Sequence, residues 1–196
     1  MRFLVGILFG VLLVVAGCAA VILTGSFNTA ATVPPGKLEK QIAGFALDRS
    51  VAKRAPQRKN PFSATPEVLR EGLGEYREHC LVCHAAPGVD AGEIGSGLNP
   101  APPDLTIPKV QARSDGELFW LTSEGIRMTG MPAFGPTESE EDIWKIVAFM
   151  RHLPELTDEE QARLRQRGEE DAAPTSVEGA PPAVPTPPGA GESPQR

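Results

Sequence analysis

Hydrophobic and polar residues divide the chain into an apolar N-terminus, a polar connecting segment and a region with helical periodicity. Residues 3–23 contain no charged side chain and no proline. About 20 apolar residues in a helix span the roughly 30 Å hydrocarbon layer of a bilayer. Residues 1–24 are therefore predicted to be a membrane anchor or a secretion signal.

The first segment with helical periodicity runs through residues 65–80. Thr65 is a good N-cap and Pro66 suits the first helical position. Apolar residues then recur at spacings of three and four, so that one apolar stripe leads into Cys80. The pattern predicts an amphipathic helix.

Two further helices are predicted nearer the C-terminus. Ser114 and Glu117 have the spacing of a capping box, and Gly125 suits the end of that helix. The second helix has acidic residues in its first turn and stops at Pro154. The predicted core residues on these helices are Leu118, Leu121, Ile143, Val147 and Met150. Because strand signals are absent, the predicted fold class is all-α.

Composition sets the predicted domain boundaries. Residues 25–61 are basic, contain a short possible helix at 38–47, and are expected to form a flexible linker. The predicted folded domain is 62–157. Residues 158–167 could form an exposed helix with little weight in the core. Residues 168–196, rich in proline and alanine and acidic, cannot bury enough apolar surface to offset their ordering entropy and are predicted to be disordered.

The charges of the chain are unevenly distributed, although the net charge is only -6. Residues 1–59 carry eight basic and two acidic side chains, whereas residues 60–167 carry ten basic and eighteen acidic ones. Binding of nucleic acid needs a concentrated basic face on the folded part. The acidic domain therefore argues against a nucleic-acid partner.

The motif CLVCH at residues 80–84 precedes a long stretch without regular periodicity. Such a loop suggests that something besides a hydrophobic core organises it. Cys-x-x-Cys-His is the spacing for covalent haem attachment. A structural zinc site needs four ligands, and only His79 and His152 are left to supply them. A redox dithiol, a simple disulfide and a chance match are the other interpretations.

A haem iron held by this motif would need a sixth ligand or an open site, and methionine is the candidate. Met150 lies on the apolar face of the last helix and is expected in the core. Met131 is preceded by Gly130, which lets the backbone come close to the haem, and followed by Pro132, which restricts Met131 to extended geometry. Met128 lacks such neighbours and is expected only to pack over the ring.

Three sequence segments together resemble the class I cytochrome c superfamily, especially single-haem bacterial members tethered to a membrane. They are CLVCH at 80–84, GMPAF at 130–134 and SEEDIWKIVAFMRHLP at 139–154. The resemblance covers about residues 62–157. It implies a small cytochrome c fold of three to five helices, with long loops wrapped around one covalently attached haem c.

The resemblance also implies the roles of individual residues. Cys80 and Cys83 would hold the haem, with His84 as proximal and Met131 as distal iron ligand. Pro100 is the expected counterpart of the family's proline whose carbonyl accepts the other N–H of the proximal histidine, a bond that would fix the imidazole.

The resemblance also implies a helix contact and candidate contacts to the haem propionates. The first and last helices should cross in contact, with Gly72 and Gly74 against Trp144 or Phe149. Arg127 and Trp120 are candidates for contacting the haem propionates.

The function implied is electron transfer rather than catalysis, with redox proteins as partners and membrane lipid in contact with the N-terminal segment. In this family haem is attached outside the bacterial cytoplasmic membrane, so the domain should lie in the periplasm. An uncleaved anchor and a lipid anchor at Cys18 are both possible. The alternatives are a haem subunit of a membrane oxidase or dehydrogenase complex, and an open-site haem enzyme or sensor with Arg127 as its distal group.

Overall fold

The chain folds into helices joined by irregular loops. The structure is a computed structural model that describes the backbone of residues 2–172 and the side chains of residues 2–166. In this range the α-helices are α1 (Arg2–Leu23), α2 (Lys37–Arg54), α3 (Pro66–Glu75), α4 (Glu93–Gly97), α5 (Pro108–Gln111), α6 (Asp115–Glu124), α7 (Glu140–His152) and α8 (Asp158–Ala172). A π-helical turn, Tyr76–Cys80, follows α3, and a 3-10 turn, Leu153–Glu155, follows α7. The predicted all-α class is confirmed.

The N-terminal helix α1 is long and apolar enough to cross a membrane. Its 22 residues carry no acidic side chain, and none of them is buried within the protein. A helix of this composition exposes its apolar side chains unless lipid or another protein covers them. This helix is compatible with anchoring the chain in a membrane.

The core of the domain is built on the crossing of α3 and α7. At Gly72 an added Cβ atom would lie 2.3 Å from the carbonyl oxygen of Lys145 and 2.9 Å from Cβ of Phe149. The predicted close approach at Gly72 is therefore confirmed. The same prediction for Gly74 is wrong, because no atom of the described residues lies within 4 Å of a Cβ atom there and the residue faces solvent.

The helix ends follow the capping residues of the sequence. The Thr65 hydroxyl accepts a hydrogen bond from the backbone N–H of Val68 at 3.3 Å. Ser114 and Glu117 form the reciprocal capping box at the start of α6. Gly125 ends that helix with a φ of 65°, a backbone conformation that glycine adopts without steric cost. These local predictions are confirmed.

Residues 25–61, which were predicted to form a flexible linker, contain a longer helix than expected. Helix α2 extends well past the short helix expected at 38–47. Val51 is fully buried near its end and packs with Ala55 and with Leu121 of α6. The packed body therefore begins before residue 62. Basic residues interrupt the apolar spacing of α2, which hides its extent in the sequence.

Helix α8 also differs from its prediction. The helix forms, but the expectation that it contributes little to the core is wrong, because Leu164 is fully buried in the main core cluster. The helix begins with a capping box, in which Glu160 accepts from the N–H of Thr157 and the Thr157 hydroxyl accepts from the N–H of Glu160. It continues to Ala172, into the segment predicted to be disordered. The rest of that segment lies outside the described residues.

Candidate haem site

The CLVCH motif follows α3 through the π-helical turn. Cys80 is buried and Cys83 is half-buried, and both thiols are free. The backbone N–H groups of Cys83 and His84 both donate to the carbonyl oxygen of Cys80, at 3.1 and 2.8 Å. This tight turn brings both thiols and the imidazole to the wall of one cavity of about 310 Å³.

The imidazole of His84 is oriented by a backbone carbonyl. Its Nδ1 atom lies 3.0 Å from the carbonyl oxygen of Pro103. Because a carbonyl only accepts, Nδ1 carries the proton and Nε2 keeps a free lone pair. Burial lowers the pKa of His84 despite the opposing effect of this bond, which favours the neutral ring. Neutral imidazole is the form that binds a metal.

The prediction that Pro100 supplies this carbonyl is wrong. Pro100 lies on the cavity wall, whereas Pro103 accepts the bond from His84. Several prolines occur between residues 100 and 103. Each has a carbonyl group, and only the path of the chain through the loop selects one of them.

The loop that holds Met131 reaches the same cavity from the end of α6. The N–H of Ile126 donates to the carbonyl oxygen of Met131 at 3.1 Å, and the N–H of Met131 donates to the Thr129 hydroxyl at 3.1 Å. Gly130 and Met131 both line the cavity. These hydrogen bonds fix the backbone on both sides of the thioether.

Met128 does not line the cavity. Its side chain is 91% exposed and its φ is 64°, a left-handed conformation that is uncommon for residues other than glycine. The expectation that it packs over a bound ring is therefore wrong. The two methionines are not equivalent, because only Met131 faces the cavity.

Part of the chain matches a known protein family. Residues 67–150 match the family described as cytochrome C oxidase, cbb3-type, subunit III. This region is a c-type cytochrome domain. A domain of this family binds haem c covalently, and one haem fits its small size. No curated protein sequence is significantly similar to the chain.

The cavity of the cytochrome domain is suited to a haem. Its wall is mainly apolar and includes Leu98, Leu105, Leu118 and Met150. Ligand cavities of about 300–1,000 Å³ with apolar walls and a few polar groups are typical of cofactor sites. Two thiols, an imidazole with a free nitrogen and a thioether line this one cavity. Such nitrogen and sulfur donors suit a haem iron better than a hard cation.

The free thiols of the cytochrome domain are protonated at neutral pH. Burial, with smaller contributions from the neighbouring Cys83 and Glu75, raises the pKa of Cys80 to about 12. Burial also raises the pKa of Cys83. The polypeptide thus presents two neutral thiols to the cavity, in keeping with an apolar wall.

The two residues predicted to contact propionates lie elsewhere in the cytochrome domain. Trp120 packs against the cluster around Val51, and Arg127 is exposed; neither lines the cavity. Lys109 and Arg113 do line it. Sequence reasoning missed both, because neither belongs to a motif and Arg113 directly precedes a helix cap.

Proposed function

We propose that Cys80 and Cys83 hold the haem covalently, that His84 and Met131 ligate its iron, and that the domain passes single electrons between redox proteins. The observation that carries this proposal is the convergence of the four side chains on one apolar cavity. When bound, the haem supplies the one-electron couple. The CLVCH turn supplies Cys80, Cys83 and His84, and the loop after α6 supplies Met131. Hydrogen bonds within each segment hold its backbone in place.

The residues around the cavity would set the electronic properties of the site. The carbonyl of Pro103 orients the ring of His84 and increases its basicity as a ligand. The thioether of Met131 is neutral and favours the ferrous state more than a second imidazole ligand would. Exclusion of water by the leucine side chains of the cavity wall also favours the ferrous state. The proposed site is that of a carrier with a raised reduction potential.

Positive charge at the cavity comes from Lys109 and Arg113, which we assign to the haem carboxylates. The Arg113 side chain is only 17% exposed, and its guanidinium lies 2.5 Å from Asp48 of α2 and 3.8 Å from Glu117. Arg113 thus joins α2 to the edge of the cavity. Lys109, on the short helix α5, forms no ion pair among the residues whose side chains the structure describes, and we assign it to contact a haem carboxylate.

For its location, we propose the periplasmic face of the bacterial cytoplasmic membrane, with α1 as the anchor. The length and apolar composition of α1 support the anchor. Cys18 lies within α1 and is exposed, so lipidation after cleavage is the competing arrangement. The mass of the mature N-terminus distinguishes the two, because cleavage before Cys18 removes seventeen residues.

A second candidate function is a haem subunit of a membrane oxidase complex. The matching family is described as a subunit of such an oxidase, which favours this candidate. Purification in mild detergent separates the two functions. An oxidase subunit is retained with its catalytic partner, whereas a tethered carrier is recovered alone.

The optical spectrum of the purified oxidised chain tests the proposed ligand set. A weak far-red band marks methionine bound to ferric haem, and we expect this band together with slow binding of cyanide and carbon monoxide. Absence of the band and rapid binding of either ligand would overturn the carrier function in favour of an open-site haem protein.

A further inference from the structure

Three metal-binding side chains meet beside the haem cavity. Glu75 ends α3, His79 lies in the π-helical turn, and Glu138 precedes α7. One ligand atom from each lies within 4.8 Å of the others. The side chains of His79 and Glu138 are 21% and 18% exposed, and that of Glu75 is 29% exposed. The cluster is therefore mostly enclosed, yet open to entry of an ion and water.

The distances in this cluster suit a metal better than hydrogen bonds. Nε2 of His79 lies 3.4 Å from a carboxylate oxygen of Glu75 and 3.4 Å from one of Glu138. Hydrogen bonds between charged nitrogen and oxygen are about 2.7–2.9 Å long. In a tetrahedral site with metal–ligand bonds of about 2.0–2.2 Å, neighbouring ligand atoms are roughly 3.3–3.6 Å apart. The two contacts match the edges of such a site.

The surroundings add negative charge that a cation would offset. Burial raises the pKa of Glu75, and so do Asp142, Glu138 and Glu78, whereas His79 lowers it. The ammonium of Lys145 lies 3.9 Å from Asp142 and is already 2.7 Å from Glu71 and from Glu141. Two carboxylates thus share one imidazole in a partly desolvated place, and a divalent ion would relieve their repulsion.

We propose that Glu75, His79 and Glu138 bind a divalent transition-metal ion, for which Zn²⁺ is the probe. Each residue supplies one ligand, and water completes the coordination. Zinc accepts imidazole nitrogen and carboxylate oxygen, and sites with three protein ligands keep the fourth position open. Hard cations such as Ca²⁺ and Mg²⁺ prefer oxygen donors alone.

A metal at this site would act on the haem through charge and position. His79 lines the haem cavity and directly precedes Cys80. Its ring packs on Phe134, near Met131, with ring centroids 5.5 Å apart. A divalent ion here would favour the electron-rich ferrous state and so raise the reduction potential. This consequence rests on the proposed function, whereas metal binding itself does not.

The test is calorimetric titration of ZnCl₂ into the haem-loaded full chain, purified in detergent without a histidine tag. We expect one Zn²⁺ to bind, and His79→Gln and Glu138→Gln each to weaken the affinity about tenfold or more. His152→Gln is the matched control. His152 contacts the carboxylate of Glu160 at 3.0 Å, within hydrogen-bond range, and is not part of a three-ligand cluster among the residues whose side chains the structure describes.

The far-red band of the same samples shows whether each variant keeps its fold and haem. Zn²⁺ should raise the reduction potential of the unsubstituted chain and leave that of His79→Gln unchanged. Failure of the chain to bind Zn²⁺, or full affinity in both cluster variants, would overturn the metal site. Absence of the far-red band with normal Zn²⁺ binding would instead overturn the proposed ligand set.

Discussion

The carbonyl oxygen of Pro103 lies 3.0 Å from Nδ1 of His84 and joins the two ends of the long loop that follows the CLVCH motif. Apart from the short helix α4, the loop has little regular structure before α5. A long irregular segment needs tertiary contacts to define its path. In this protein one such contact also sets the orientation of the candidate iron ligand.

The choice between the two loop methionines can be tested by substitution. Met131→Ala should abolish the far-red band of the oxidised protein, because the proposed ligand is lost from the cavity wall. Carbon monoxide should then bind readily to the ferrous form at the open position. Optical spectroscopy of the oxidised and reduced protein measures both effects.

Met128→Leu is the control for this experiment. Met128 is 91% exposed, so its replacement should leave the band and the slow binding of carbon monoxide unchanged. If Met128→Leu removed the band and Met131→Ala kept it, the ligand assignment would be reversed.

Because α3 and α7 are in close contact at Gly72, one added methyl group there should lower the stability of the domain markedly. Gly72→Ala should destabilise the domain by about 1–3 kcal/mol, the usual cost of overpacking a core. The new Cβ atom would lie 2.3 Å from the backbone oxygen of Lys145, which cannot move without shifting α7. Chemical denaturation of the haem-loaded chain, followed by circular dichroism, gives the change in the free energy of unfolding.

Gly74→Ala is a matched control on the same helix. In the part of the chain that the structure describes, nothing lies within 4 Å of the added Cβ atom, and alanine favours a helix over glycine by about 0.5–1 kcal/mol. The substitution should therefore stabilise the protein slightly. Equal effects of the two substitutions would contradict the proposed role of the crossing.

Protonation of Asp115 should account for part of the loss of stability of the protein in acid. Burial raises its pKa, but hydrogen bonds from the N–H of Asn60 and from Arg151, and the charge of Arg151, outweigh burial, so the pKa is lowered from its ordinary value of 3.8. The Arg151 guanidinium lies 2.8 Å from the carboxylate. The resulting stabilisation is present above pH 3.8 and is lost as the pH falls through the lowered pKa.

Asp115→Asn should remove this contribution. The free energy of unfolding should be lower at pH 7 and should fall less steeply on acidification below about pH 4. Denaturation at a series of pH values measures the slope. An unchanged slope in the variant would show that other carboxylates account for the acid sensitivity.

The sequence predicted the parts of the molecule that depend on local chemistry. Thr65, Ser114 and Gly125 have the expected caps because capping involves residues within one turn. The residues of the candidate site lie in two short motifs. The crossing at Gly72 was also predictable, although Gly74, two positions further along, faces the opposite side of the helix.

Three features depend on the path of the chain through space: the choice of Pro103, the burial of Val51 near the end of α2, and the basic residues at the cavity. Several neighbouring prolines offer the same carbonyl, so the sequence cannot rank them. Val51 docks on α6 from a segment whose basic residues suggest solvent exposure. Lys109 and Arg113 reach the cavity only because α5 lies beside it.

The buried Leu164 of α8 should contribute substantially to the stability of the domain. Leu164→Ala should destabilise the domain by about 2–5 kcal/mol, because it removes a fully buried side chain from the main core cluster. Leu38→Ala on α2 makes the same chemical change at a side chain that is 68% exposed, and should change stability by less than about 0.5 kcal/mol. Denaturation of both variants in detergent compares them directly. If Leu164→Ala were as mild as Leu38→Ala, α8 would be an exposed helix after all, as its charged composition alone suggests.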